Sequence, residues 1–176
     1  MGDTVYPIVD DVIILIDPSQ YPAGLNKHLG QAKAGPENTP LDFAEDIQYT
    51  FGSEWQAFPK ILPEHEQEFL QYFDLIDLHE LKDLRVCDLG CGIGRWSYFL
   101  DNLCRELILI DFSEAIFVAR RNLAHTENTL FFMGDLTRLP FMEDFCDFMF
   151  CLGVLHHLPV PALEAVSYTH LTLPTN

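Results

Sequence analysis

The fold class this sequence predicts is α/β, with a parallel sheet sandwiched by helices. Three observations predict it. From residue 84 onward, apolar runs of strand length alternate with amphipathic runs of helix length. The strand runs are apolar throughout rather than alternating, as in sheets covered on both faces. The first run ends in a glycine-rich turn and the second in an acid. A sheet with right-handed crossovers presents such groups along one ligand-binding edge.

The elements follow in order. Residues 6–16, YPIVDDVIILI, form a short apolar run that reads as a strand. Residues 17–40 are rich in Pro, Gly, Asn and Gln and read as a linker. Residues 41–60 hold Phe43, Phe51, Trp55 and Phe58 among acids. Pro63 precedes a stretch with apolar residues at Phe69, Leu70, Phe73, Ile76 and Leu78, a spacing that predicts an amphipathic helix with proline in its first turn. Beyond it, LRVCDLG (84–90) predicts a strand and GRWSYFLDNL (94–103) a helix. LILIDF (107–112) predicts a second strand, and SEAIFVARRNLA (113–124) a helix with Ser113 as N-cap. TLFFMGDL (129–136) and FCDFMFCLGVL (145–155) predict the third and fourth strands.

The domain organisation is then an N-terminal strand and linker over 1–40, a helical lead-in over 41–83, a ligand-binding domain over 84–165, and a tail over 166–176. Residues 166–175, VSYTHLTLPT, back-translate in one frame into a transposon-end adapter used in preparing sequencing libraries. The tail is therefore read as non-native, with the natural sequence expected to continue beyond about Ala165.

Composition bounds the function. The 176 residues are 48% apolar and 12% aromatic, enough for a sizeable core and incompatible with global disorder. Ten bases face 27 acids, for a formal charge of −17. Residues 1–85 carry 16 acids against 5 bases and residues 86–176 carry 11 against 5, so both halves are acidic. Such a surface repels phosphate backbones, arguing against non-specific nucleic-acid binding and anionic membranes. No apolar run reaches the length of a membrane span, and the acidic start MGDTVYPIVDD is not a secretory signal. The five cysteines are odd in number and none forms a C-x-x-C pair, so reduced thiols in a cytoplasmic protein are expected, with no metal site.

The chemistry concentrates in one constellation. The first strand ends in Asp88-Leu-Gly90-Cys91-Gly92-Ile-Gly94-Arg95. The glycines let the backbone turn and approach a ligand, and a helix beginning near Arg95 would aim its N–H groups at it. Asp111 ends the second strand, where an acid can accept both hydroxyls of a ribose. Together these say nucleoside. The series is G-x-G-x-G, without the third glycine of a dinucleotide fingerprint and without a following Gly-Lys-Ser/Thr.

VCDLGCGIGRWS resembles the first motif of class I S-adenosylmethionine-dependent methyltransferases of the type 11-like branch. LILIDFSEAIFVARRN is similar to their second-strand motif, and FMGDLTRLPFMEDFCDFMFCLGVLHHLP to their third- and fourth-strand motifs. The lead-in FGSEWQAFPKILPEHEQEFLQYF resembles that of a related bacterial group. Residues 6–16 resemble the last strand of zinc-ribbon modules related to a methyltransferase-activator family, though their cysteine pairs are missing; an ordinary hairpin strand is the alternative. The resemblance implies the first four strands of a seven-stranded, Rossmann-like sheet, with a helical N-terminal extension. It implies that the fourth strand would be an exposed apolar edge, and that this chain alone would be poorly stable and inactive.

The resemblance also implies roles. Asp88, Gly90, Cys91, Gly92 and Gly94 would contact the methionine portion of S-adenosyl-L-methionine, Asp88 helping to orient its ammonium. Asp111 would take the ribose hydroxyls and Phe112 would pack on adenine. Asp135 would accept from the adenine amino group, with Leu136 beside the ring. Cys151 and Leu152 would lie near the transferable methyl, and His156 and His157 on the substrate side, as candidate bases. Plainer readings stay open: Asp88 or Asp111 as a helix cap, Asp135 as a turn starter, the histidines as polar surface, Arg95 as loop support. The expected function is methyl transfer to a small-molecule acceptor. The alternatives are a non-catalytic scaffold acting through residues 41–80, or a nucleotide-dependent oxidoreductase. Acceptor and oligomeric state are not readable from the sequence.

Overall fold

The computed structural model describes residues 5–22, 25–26, 29, 59–142 and 144–158. The expectations for most of the linker, for residues 41–58 and for the tail lie outside these.

A two-residue turn at Asp10 and Asp11, both with positive φ, joins β1 (Ile8–Val9) to β2 (Val12–Ile14). Aspartate tolerates this conformation, and such a turn matches the twist of paired strands. The strands expected after residue 84 are β3 (Arg85–Leu89), β4 (Glu106–Asp111), β5 (Thr129–Met133) and β6 (Phe148–Phe150). One sheet joins all six in the order β1-β2-β5-β4-β3-β6. Every pairing is parallel except the hairpin itself. The N-terminal run is thus a hairpin that extends the sheet beyond β5. Arg120 fastens it by an ion pair to Asp11 at 2.7 Å. Among the described residues, β6 is paired on one side only, and its three residues are half-buried.

Alternation along the strands divides the core into two faces. Val86, Leu107, Leu109, Phe131 and Met133 point to the first face, Cys87, Leu89, Ile108, Ile110 and Phe132 to the second. Both α1 (His65–Tyr72) and α2 (Ala115–Asn122) pack on the first face. On the second face, Leu136, Leu139, Phe141 and Phe145 from the β5–β6 connection supply the cover.

Three local expectations are corrected. The lead-in helix is shorter than its apolar pattern: α1 stops at Tyr72, and a 3₁₀ turn follows at Leu78–Leu81. Phe69 and Phe73, one turn apart, meet the core, while Leu70 lies around the helix and is exposed. Residues 94–103 form no α-helix. Turns lead into a 3₁₀ helix at Ser97–Leu100, which ends before Asn102 in a left-handed conformation. Side-chain demands decide this segment: Ser97 is drawn inward to Asp88, and Phe99 packs on Phe69. Finally, the thiols are not all free. Cys87 and Cys146, 59 residues apart, are joined. Spacing in the sequence could not show that β3 and the approach to β6 bring them together on one face.

Candidate cofactor site

The parallel strands all end at one edge, and the expected site residues gather there. After β3 the chain turns through Gly90 and Gly94 with φ of 78° and 74°. Only glycine takes this path without strain, and both positions are also crowded. A Cβ on Gly90 would lie 2.4 Å from a methyl of Val154, and one on Gly94 would lie 2.7 Å from Leu123. The turn is locked to β4, since Gly90 and Cys91 both donate their N–H to the carbonyl of Ile110, at 2.7 and 3.0 Å.

Asp111 organises the junction. One carboxylate oxygen accepts the Gly92 N–H at 2.8 Å. The other accepts the N–H and hydroxyl of Ser113, at 2.8 and 2.7 Å. The Ser113 hydroxyl in turn accepts from Ala115 N–H at the start of α2. Ser113 therefore does serve the helix entrance, although α2 begins one residue later than a Ser113 cap implies. Asp111 thus supports the entrance of α2 from the C-terminal edge of the sheet. Burial raises its pKa, opposed by the hydrogen bonds from Ser113 and Gly92.

Asp88 is buried in β3 and accepts one hydrogen bond, from the Ser97 hydroxyl at 2.7 Å. Burial pushes its pKa up to about 7; the Ser97 bond opposes the shift, and the nearby negative charge of Asp111 adds to it. Burial and both carboxylates hold Cys91 far above an ordinary thiol. Among the described residues no cationic side chain pairs with either Asp88 or Asp111.

The remaining expected residues lie on the connections leaving β4, β5 and β6. Phe112 packs partly against the first core face. Asp135 accepts the N–H and hydroxyl of Thr137, both from one oxygen, so it does start a turn. Leu136 is buried in the second core cluster. Cys151 and Leu152 follow β6, and burial and the Asp88 charge push the Cys151 thiol up to about 12. His156 and His157 sit on the 3₁₀ turn Leu155–His157, with ring centres 3.8 Å apart. The expected helix dipole at Arg95 is missing, because a four-residue 3₁₀ turn stands where a helix was expected.

Residues 86–171 match a protein-family model described as a methyltransferase domain. Among curated proteins, the chain is 30% identical over 126 residues to the tRNA U34 carboxymethyltransferase of Campylobacter hominis. The match spans 68% of this chain but only 40% of that protein's length. Among solved structures, the magnesium protoporphyrin IX methyltransferase of Synechocystis PCC 6803 with bound S-adenosylmethionine superposes with a TM-score of 0.58. It is 24% identical, covering 75% of this chain and 72% of the other. Phosphoethanolamine N-methyltransferase 1 of Haemonchus contortus gives a TM-score of 0.53 at 23% identity, covering 64% of this chain and 26% of that one. This is a Rossmann-like methyltransferase fold.

Within that fold, three supporting residues were not singled out from the sequence. Ser97 is the donor to Asp88. Val154 lies against Gly90. Asn122, at the end of α2, donates to the carbonyl of Ile93 at 2.9 Å and to that of Pro59 at 3.0 Å, tying the glycine turn to the lead-in. An asparagine in the last turn of a helix is the one sequence signal that could have marked it. The other two act through contacts between distant segments.

Proposed function

We propose that this chain binds S-adenosylmethionine at the C-terminal edge of its sheet and belongs to an enzyme that transfers the methyl group to a small-molecule acceptor. The observation that carries this reading is the pair of carboxylates, Asp88 and Asp111, set without a cationic side chain beside a glycine turn. A buried unpaired carboxylate is costly, and a ligand bearing a cation relieves that cost.

Bound there, S-adenosylmethionine supplies an electrophilic methyl on a sulfonium. The chain's residues bind and orient. Asp88, its pKa raised to about 7 by burial, would hold the ammonium of the methionine portion as a carboxylate. Asp111, which accepts from Gly92, Phe112 and Ser113, would take the ribose hydroxyls. Phe112 and Leu136 would lie beside the adenine, and Asp135 would accept from its amino group through the oxygen that Thr137 does not use. Cys151 would border the methyl. His156 or His157 serves as the base if the acceptor starts protonated. Alignment for in-line displacement supplies most of the rate.

The charge of −17 supports a small acceptor over a polyanion. The tRNA enzyme among the relatives keeps a second reading in play, in which parts of a longer protein bring the RNA. Calorimetry with S-adenosylhomocysteine tests the cofactor assignment. Binding is expected, with at least a tenfold loss in Asp111→Ala. No binding to the folded chain, or binding of a dinucleotide instead, would sink it. Methyl transfer to tRNA but not to small molecules by the full-length enzyme would overturn the acceptor class, and binding without turnover would favour a scaffold.

A further inference from the structure

The second face of the sheet carries two sulfurs that the cofactor site does not use. Cys87 is fully buried in β3, and Cys146 is half-buried two residues before β6. Their sulfurs are joined and their Cα atoms are 6.2 Å apart. The backbone on either side of Cys146 is fixed by bonds that do not involve sulfur. Arg85 donates its guanidinium N–H to the carbonyl of Phe145 at 2.9 Å, and its backbone N–H to the Asp147 carboxylate at 2.6 Å. Asp147 returns its own N–H to the Arg85 carbonyl at 3.0 Å. Cys146 is thus held opposite Cys87 whether or not the sulfurs are bonded. A small apolar cleft between Leu89, Phe141, Phe145 and Met149 has Cys87 and Cys146 in its lining. The other three cysteines are free.

We propose that Cys87 and Cys146 are a reversible thiol–disulfide couple, opened and closed by small thiols and disulfides of the glutathione class, that fastens the approach to β6 onto β3. On oxidation, the Cys146 thiolate attacks one sulfur of the small disulfide and releases one small thiolate. The Cys87 thiolate then attacks the mixed disulfide at Cys146 and releases the second. The two protein thiols lose two protons, the two released thiolates take them up, and two electrons pass to the small disulfide. Fixed geometry makes the second step fast, and disulfides that form in reducing compartments are commonly of this transient kind. The other thiols are poor competitors: burial pushes Cys104 up to about 11 and Cys151 up to about 12, and Cys91 is higher than ordinary as well. The couple stands apart from the methyltransferase reading and does not need it.

The test equilibrates the reduced full chain with mixtures of oxidised and reduced glutathione, quenches by alkylation, and reads intact mass and peptide maps. The expected product carries three alkyl groups where the reduced chain carries five, because the two joined sulfurs are closed to the alkylating agent. It carries one Cys87–Cys146 crosslink, leaves Cys91, Cys104 and Cys151 alkylated, and returns fully to dithiol in excess reduced glutathione. Cys146→Ser is expected to form no internal disulfide in the same buffers. The oxidised form is expected to melt about 10 °C above the reduced one, given a closed loop of this length. Other or scrambled pairings, a glutathione adduct on Cys146 that Cys87 does not resolve, an internal disulfide in Cys146→Ser, or equal melting of the two forms would each overturn the proposal.

Discussion

At the N-terminal ends of the strands, the acids are neutralised by neighbours: Glu106 pairs with Arg85, and Asp147 with Arg105 at 3.1 Å. At the C-terminal ends, Asp88 and Asp111 receive hydrogen bonds from Ser97, Ser113 and Gly92 but no cationic side chain among the described residues. The two ends belong to the same strands, so the difference lies in the neighbours that folding supplies. A paired acid at the solvent-facing end holds connections in register. An unpaired acid at the opposite edge raises its own pKa and lowers the stability of the ligand-free chain, a cost that makes sense where a cation is to be bound.

Asp88 gives the largest way to break this contrast. Its folded pKa of about 7 lies above the model-peptide range, so the folded state holds a proton that the unfolded chain has lost. Stability from this group is full below the unfolded value and falls as pH rises through about 7. The total is about 4 kcal/mol for a shift of this size. Asp88→Asn should abolish most of that decline, leaving the ligand-free variant more stable than the parent at pH 8 while weakening S-adenosylhomocysteine binding. Urea denaturation at pH 5 and pH 8 measures the first effect. A parent whose stability does not fall over this interval would contradict the contrast.

Gly90→Ala comes next. A left-handed φ and a 2.4 Å approach to Val154 together should cost about 3 kcal/mol. The double variant with Val154→Ala should recover the part due to crowding and leave the part due to φ, a partition that a double-mutant cycle in urea reads directly.

The N-terminal end of the strands supplies the smaller effects. Arg85→Met removes an ion pair about one-third exposed and a bond to the Phe145 carbonyl, and should cost about 1–2 kcal/mol without changing cofactor affinity. Arg105→Gln removes a more exposed pair and should cost no more than about 0.5 kcal/mol, vanishing in high salt. If either variant weakened S-adenosylhomocysteine binding as much as Asp88→Asn, the division of labour between the two ends would be lost.

Legibility differed by the kind of interaction. The four strands of the α/β unit read clearly, because fully apolar runs bounded by glycine and acids leave few alternatives. That Asp88, the glycine turn and Asp111 would meet at one edge was legible too, because parallel strands all end at the same edge. The segment after the turn was misread. Its residues suit a helix locally, but Ser97 answers to Asp88 and Phe99 to Phe69, and these distant demands shorten it to a 3₁₀ turn. Leu70 belongs to the apolar pattern yet is exposed, because hydrophobicity does not say which of two neighbouring helix positions faces the core.

By itself, the sequence determined the strand content, the parallel arrangement and the identity of the turn and its two acids, since these follow from periodicity, glycine conformation and chain direction. Tertiary structure alone decided that the N-terminal hairpin would pair with β5, that Asp111 would hold the glycine turn as well as the entrance to α2, that Asp88 would be left with a single hydroxyl, and that Cys87 would meet Cys146. Each of these depends on contacts between residues far apart in the chain, and no local propensity encodes which distant partners burial will bring together.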